Sequence, residues 1–142
     1  LLTGGNDPAS CGGNAPERDE TDARLIEYSL DRSVPLFGVC RGMQSILLYF
    51  GGALERISGH VAVCHDVSGA ISRTVNSYHN WGARQTPSKL EVLARAADGV
   101  VEAISVKGRP IAGIMWHPER VSPFAQDDIR LMKAVFEQGD SL

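Results

Sequence analysis

Cys40 is the residue of this sequence whose surroundings best fit a chemical role. It follows the apolar run 34–39, and apolar residues at helical spacing begin directly behind it. Gly38 and Gly42 flank it as G-x-C-x-G, the sulfur counterpart of the nucleophile elbow G-x-S-x-G. A strained turn between strand and helix leaves no room for Cβ atoms at the flanking positions. The pattern therefore predicts a sulfur that projects at a helix N-terminus, where unpaired N–H groups favour the thiolate.

The same turn would place the backbone N–H of Arg41 where it can stabilise an oxyanion. The alternative is that Cys40 is a small apolar residue of the core, which is the commoner situation of an isolated cysteine. The paired glycines and the change from strand to helix pattern support the nucleophile. A base within reach of the sulfur would decide between the two interpretations.

His117 is the candidate base. It ends the apolar run 111–116 and is followed by Pro118 and Glu119. A residue before proline is held extended, and residues two apart in an extended chain project to the same side. We therefore expect Glu119 to orient the imidazole of His117, which completes a Cys-His-Glu triad. The alternative is a loop histidine beside a surface glutamate.

The other histidines suggest two further kinds of site. His60, Cys64 and His65 lie close in sequence but lack a zinc spacing such as C-x-x-C, so we predict neither a metal site nor a cofactor. The segment 78–81, Tyr-His-Asn-Trp, is a polar and aromatic cluster between Ser77 and a glycine. It is either the wall of a ligand pocket or a surface loop with one docked aromatic ring.

Length and composition limit the kind of protein. A chain of 142 residues with 43% apolar residues fits one domain, 1–142, with a core. Fourteen basic and seventeen acidic residues leave a net charge of −3, which argues against nucleic-acid binding. No apolar run approaches the roughly 20 residues of a membrane helix, and no signal peptide is visible. Three cysteines without framework spacing favour a cytoplasmic location.

Apolar periodicity predicts an α/β fold. A strand ends at Thr3, before a glycine pair whose N–H groups we expect at the edge of a sheet. The first helix should bury Leu25, Ile26, Ser29 and Leu30, and the last should turn Ile129, Met132 and Phe136 inward and stop at Gly139. The first helix is predicted from the start signal Asn14-x-x-Glu17, with Pro16 in its first turn, to about Arg32. Further helices are predicted over 41–50 and about 122–138, and strands over 34–39, 61–67, 71–75, 90–97, 100–106 and 111–116. The early elements indicate a parallel sheet covered by helices, and the later ones indicate antiparallel hairpins beside it.

Three motifs in this order resemble the class I glutamine amidotransferase family. They are Leu2-Thr3-Gly4-Gly5-Asn6-Asp7, Phe37-Gly38-Val39-Cys40-Arg41-Gly42-Met43-Gln44 and Met115-Trp116-His117-Pro118-Glu119. Within that family, the motifs around Cys40 and Val75-Asn76-Ser77-Tyr78-His79 resemble the stand-alone γ-glutamyl hydrolase branch. That branch includes the γ-glutamyl-γ-aminobutyrate hydrolases. The stretches 57–61, 76–80 and 116–120 resemble the γ-glutamyl-CDP-amidate hydrolases of capsular polysaccharide synthesis.

The resemblance implies a three-layer, doubly wound, mainly parallel sheet of flavodoxin-like type with a smaller antiparallel region. It also implies cysteine-dependent hydrolysis of a small γ-glutamyl amide, or release of ammonia to a synthetase partner; a silent binding domain and a homodimer stay open. By analogy, Gly5 adds a second oxyanion N–H. Substrate contacts are expected from Gly4, Gln44, Ser77, Tyr78, His79 and Trp81. Family members carry further elements before the Gly4-Gly5 strand, so we expect the N-terminal part to be missing from this sequence.

Overall fold

One mixed sheet with helices on both faces carries the fold of the computed structural model, which describes residues 1–138. The helices are α1 (Pro16–Arg32), α2 (Arg41–Tyr49) and α3 (Gln126–Gln138). The strands are β1 (Leu36–Val39), β2 (Glu55–Arg56), β3 (Val61–Gly69), β4 (Arg73–Tyr78), β5 (Trp81–Gly82), β6 (Leu90–Ala96), β7 (Val101–Val106) and β8 (Ile111–Ile114). The main sheet has the order β1-β8-β7-β6-β3-β4, and β2 pairs with β5 in a separate ribbon.

The sheet combines a parallel and an antiparallel part. β1 runs parallel to β8, and Leu2 adds a parallel bridge on the other side of β1. The Leu2 N–H donates to the Phe37 carbonyl at 2.8 Å, and the Val39 N–H donates to the Leu2 carbonyl at 2.8 Å. All other neighbours in the main sheet are antiparallel. The α/β class is confirmed, but within residues 1–138 the antiparallel strands continue the same sheet and form its larger part, not a smaller region beside it.

Helices cover both faces of the parallel part, as predicted. Gly38 and its register partner Gly113 face α2, because a Cβ on Gly113 would lie 2.9 Å from the Met43 Cβ. Phe37 projects to the opposite face, where its ring centroid lies 6.5 Å from that of Phe136 on α3. Because α2 and α3 lie on opposite faces of β1, and α1 packs against α2, the early part of the chain forms helix, sheet and helix layers.

The antiparallel part curls. β3 pairs with β6 only through residues 67–69, while its first half pairs with β4 alone. The hairpin of β3 and β4 therefore leaves the plane of β6 and β7 over residues 61–66. This curl brings His60 and His65 towards Glu102 on β7.

Several details of the helices differ between the sequence prediction and the structure. Ile26 and Ser29 are buried as expected, but Leu25 is 45% exposed and Asp22 takes the inner position, because Asp22 pairs with Arg41. The last helix, α3, begins at Gln126 and not at about residue 122, and a separate 3-10 turn over Pro118–Arg120 precedes it.

On α3 the buried side chains are those of Asp128 and Val135, while Phe136 is 43% exposed. The predicted stop at Gly139 lies outside the described residues. Within residues 1–138, no helix combines the length and apolar character that a membrane crossing requires.

Candidate active site

Cys40 lies at a strained turn between β1 and α2. Its backbone has φ 49° and ψ −101°, a region that side-chain-bearing residues rarely adopt. A Cβ on Gly38 would lie 2.5 Å from the Gly42 carbonyl carbon, and a Cβ on Gly42 would lie 2.3 Å from the Leu2 carbonyl oxygen. Both flanking positions therefore require glycine for the steric reason that the sequence pattern indicated.

Cys40 and His117 approach the same point beside the Gly4 backbone. A Cβ built on Gly4 would lie 3.0 Å from the His117 Cε1 and 3.9 Å from the Cys40 Cβ. The two side chains thus lie on the same side of the sheet edge, although 77 positions separate them in the sequence. The parallel pairing of β1 with β8 causes this, because it brings the carboxyl ends of the two strands together.

His117 is held at its ring and at its backbone. Its Nδ1 lies 2.6 Å from the Glu119 Oε1, so in the neutral imidazole Nδ1–H donates to the carboxylate and Nε2 carries the lone pair. The Asn76 side chain forms two bonds with the His117 backbone: its amide donates to the carbonyl at 2.9 Å, and its oxygen accepts from the N–H at 2.8 Å. Tyr78 meets the imidazole edge-on, with ring centroids 5.8 Å apart. Sequence reasoning assigned no role to Asn76.

Buried ion pairs connect the Cys40 turn to the Gly4-Gly5 segment. The Arg41 guanidinium donates to Asp22 at 2.7 Å and to the Ser45 hydroxyl at 2.9 Å, and it also pairs with Asp19. Arg18 bonds the same Asp22 at 3.1 Å and the Thr3 carbonyl at 2.8 Å. These contacts tie α1 to α2 and to residues 1–3. The sequence held no signal for this network, because the partners are charged residues on different elements.

Gly5, the second predicted oxyanion donor, lies beside Arg41. A Cβ on Gly5 would lie 4.0 Å from the Arg41 Cδ and 3.2 Å from the Arg18 Nη1. The two residues predicted to supply oxyanion N–H groups are therefore neighbours across the turn. Their roles stay predictions.

Burial opposes ionisation of the thiol. Cys40 is 6% exposed, and burial raises its pKa to about 11, although the backbone N–H of Arg41 lowers it in part. The carboxylates of Glu119, Glu102 and Asp7 raise it further. The sequence analysis expected the helix N-terminus to favour the thiolate, but desolvation outweighs that effect in the free protein. A thiol whose pKa is raised in this way needs a base to accept its proton.

The predicted substrate contacts have mixed surroundings. The Gln44 amide donates to the Trp81 carbonyl at 3.0 Å, so this side chain joins α2 to β5. Ser77 is fully buried and donates to the His60 carbonyl at 2.8 Å. The ring nitrogens of His79 face the Trp81 carbonyl at 3.1 Å and the Glu102 carboxylate at 3.4 Å. The side chains of Ser77 and Gln44 thus donate to protein carbonyls, and His79 contacts the Trp81 carbonyl through one ring nitrogen only. Tyr78 is 39% exposed beside His117.

A cavity of about 490 Å³ adjoins the His117 side of the site. Its lining includes Gly4, Gly5 and the polar side chains of Thr3, His117, Glu119, Arg120 and Asp128, together with apolar side chains such as Phe124, Ile129 and Met132. Cys40 does not line this cavity. Gly4 is the predicted substrate contact that borders it.

Fold and site together define the class of protein. The glutamine amidotransferase class-I family model matches residues 9–134, and the chain belongs to this family. A solved structure from Thermoplasma acidophilum, provisionally described as a GMP synthase subunit, has the same fold, with a TM-score of 0.76 and 23% identity. The match covers 94% of this chain and 70% of that one.

Two curated relatives are hydrolases. The chain is 35% identical over 135 residues to the γ-glutamyl-γ-aminobutyrate hydrolase of Escherichia coli O157:H7, which covers 73% of this chain and 53% of that protein. It is 33% identical over 139 residues to the γ-glutamyl-CDP-amidate hydrolase of Campylobacter jejuni, which covers 96% of this chain and 68% of that protein. This chain therefore spans about half of the first relative and two thirds of the second.

Proposed function

We propose that the protein hydrolyses a γ-glutamyl amide bond and releases glutamate through a γ-glutamyl thioester on Cys40. The observation that carries this proposal is the approach of Cys40 and His117 to one point beside Gly4, with Glu119 2.6 Å behind the imidazole. The names of both hydrolase relatives support a γ-glutamyl substrate. Gly5 and Arg41 supply the oxyanion N–H groups in this proposal.

The steps follow from the tautomer of His117. Its unprotonated Nε2 takes the Cys40 proton as the sulfur attacks the γ-glutamyl carbonyl carbon. The imidazolium returns that proton to the nitrogen as the C–N bond breaks, and the amine leaves. Water then attacks the thioester, His117 takes one water proton, and the protonated imidazole returns it to the Cys40 sulfur as glutamate leaves. The Glu119 carboxylate stabilises the imidazolium in both halves.

Three variants test the proposal. Cys40→Ala and His117→Asn should abolish glutamate release while circular dichroism and the melting temperature stay near those of the parent. Glu119→Gln should retain more activity than either, because Glu119 orients the base without taking part in bond chemistry. Full activity in Cys40→Ala would refute the mechanism. A well-folded Glu119→Gln protein as inactive as Cys40→Ala would refute the ranking.

The leaving group is proposed more narrowly from the Campylobacter relative. Its match covers nearly the whole of this chain, which favours a nucleotidyl amidate such as γ-glutamyl-CDP-amidate and hence a role in capsule synthesis. The Escherichia relative favours an amino-acid amine. We also propose that the protein is cytoplasmic and that residues 1–142 belong to a single domain.

A second candidate is a glutaminase subunit that delivers ammonia to a synthetase. The provisional description of the Thermoplasma protein as part of a synthase supports keeping it. A catalytically silent domain is the third candidate. A thiol-directed glutamine analogue distinguishes a silent domain from the hydrolase and from the glutaminase subunit. It should label Cys40 in either enzyme and not in a silent domain.

A further inference from the structure

Three histidines surround one buried carboxylate behind the candidate active site. His60 precedes β3, His65 lies on β3, His79 follows β4, and Glu102 lies on β7. The Glu102 Oε1 lies 3.1 Å from the His60 Nδ1, 3.4 Å from the His79 Nε2 and 3.8 Å from the His65 Nε2. Glu102 is fully buried, and His60 and His79 are 4% and 5% exposed.

The facing atoms lack hydrogen-bond partners. Within residues 1–138, this holds for both carboxylate oxygens of Glu102 and for the ring nitrogens that face them on His60, His65 and His79. Buried polar atoms without partners are rare in native proteins, because each one costs the free energy of its lost hydration. A cluster of five such atoms indicates that something fills the space between them.

The outer contacts of the rings fix which nitrogens carry protons. The His60 Nε2 lies 3.1 Å from the Asp98 Oδ2, and the His79 Nδ1 lies 3.1 Å from the Trp81 carbonyl oxygen. Both outer groups accept only, so these two nitrogens must donate. In neutral imidazoles, the inner nitrogens of His60 and His79 then direct lone pairs at Glu102. Lone pairs that face a buried carboxylate need a cation between them.

We propose that His60, His65 and Glu102 bind a divalent metal ion of the zinc type. Their ligand atoms all lie within 4.8 Å of one another. A tetrahedral site with bonds of about 2.1 Å has ligand separations of roughly 3.4 Å. The separations from the Glu102 Oε1 to the His60 Nδ1 and the His65 Nε2, 3.1 and 3.8 Å, bracket that value. Imidazole and carboxylate ligands suit zinc, and the carboxylate of Asp98 behind His60 is the outer partner that such histidines usually have.

The metal would link the curled hairpin of β3 and β4 to strand β7. His60 and His65 belong to the part of the chain that leaves β6, and Glu102 belongs to the central strand β7. The Glu102 carbonyl accepts from the Met115 N–H at 2.8 Å, two residues before His117. The ion would therefore fasten the hairpin of β3 and β4 to the strands that lead to the candidate active site, without being part of the proposed reaction.

Metal binding by the whole protein tests the proposal without reference to activity. Chelator-treated protein is given Zn²⁺, and the bound metal is measured after gel filtration; Co²⁺ in a parallel sample reports coordination through its visible spectrum. We expect about one equivalent of Zn²⁺ and a tetrahedral Co²⁺ spectrum. Asp98→Asn should weaken binding about 10- to 100-fold, as outer-partner changes do. His65→Gln should weaken it further, and its half-buried position allows the variant to fold.

Cys64→Ser is the matched control. Cys64 neighbours His65 on β3 but is exposed, so its loss should leave the stoichiometry unchanged. Binding that disappears in Cys64→Ser and persists in His65→Gln would overturn the proposal. It would also be overturned if the parent took up less than about a tenth of an equivalent of Zn²⁺ in the same assay.

Discussion

At the scale of single residues, Cys40 combines a strained backbone with a buried sulfur. Its left-handed φ turns the side chain towards His117, while burial raises its pKa to about 11. The reactivity of the thiol therefore depends on His117 taking its proton when a substrate is attacked. Because the folded state favours the neutral thiol, Cys40 adds no pH dependence to stability below its ordinary pKa of 9.0. The contribution of Cys40 to the stability of the fold is lost as the pH rises above 9.0 towards 11.

Alkylation kinetics measure this pKa. In a protein with Cys11→Ser and Cys64→Ser, the rate of alkylation of Cys40 should rise about tenfold per pH unit above pH 7, without a plateau below about pH 10. The same reagent on a protein that retains only Cys64 provides the exposed reference thiol. A plateau that begins below pH 8 would show a preformed thiolate and contradict the expectation.

Asn76 acts on catalysis through His117. Asn76→Ala removes both bonds to the His117 backbone, so the imidazole should lose its position, and kcat should fall about 10- to 100-fold with little change in KM. Asn76→Asp keeps an oxygen that accepts from the His117 N–H, so its kcat should fall less than that of Asn76→Ala. A changed pH dependence of kcat distinguishes positioning from a general loss of stability.

Asn80→Ala is the control for this prediction, because Asn80 lies at the end of the same hairpin and its side chain is exposed. Equal losses in Asn76→Ala and Asn80→Ala would show that the hairpin as a whole, and not the contact with His117, governs the rate.

At the scale of elements, α1 secures the start of α2 through buried charge. Arg41 is 1% exposed and Asp22 is 2% exposed, and Ser45 also donates to Asp22 at 2.7 Å. Asp22→Ala leaves the Arg41 charge without its buried partner. We expect the free energy of unfolding to fall by about 3–5 kcal/mol in denaturant titrations.

The exposed pair of Glu20 with Arg24 on the same helix provides the comparison. Glu20→Ala should change the free energy of unfolding by less than about 1 kcal/mol, because solvent screens this pair. If Asp22→Ala cost no more than Glu20→Ala, the buried pair would not be what holds the two helices together.

At the scale of the whole molecule, the proposed hydrolase should work alone. The whole protein, tested against a panel of γ-glutamyl amides, should release glutamate faster from at least one substituted amide than from glutamine, without an added protein. A free-standing hydrolase uses the amine for recognition, whereas a glutaminase subunit needs only ammonia as its leaving group. Activity confined to glutamine, and dependent on a second protein, would favour the synthetase-subunit candidate.

The sequence by itself determined the local features of this protein. The G-x-C-x-G turn, the extended His117-Pro118-Glu119 segment and the change from strand to helix at Cys40 follow from short-range sterics and periodicity. For the same reason, the existence of α1, its end at Arg32 and the existence of β6, β7 and β8 were predictable from residues close in the chain. The motifs also identified the family, because their order depends only on the sequence.

Tertiary structure alone decided which distant residues meet. The Asn76 contact with His117, the Asp22 pair with Arg41 and the histidines around Glu102 join residues 19 to 42 positions apart. The apolar periodicity of each helix or strand does not predict which distant polar residue its own polar side chains contact. The pKa of Cys40 belongs here too, since burial by the assembled sheet and helices, not the local helix N-terminus, sets its direction.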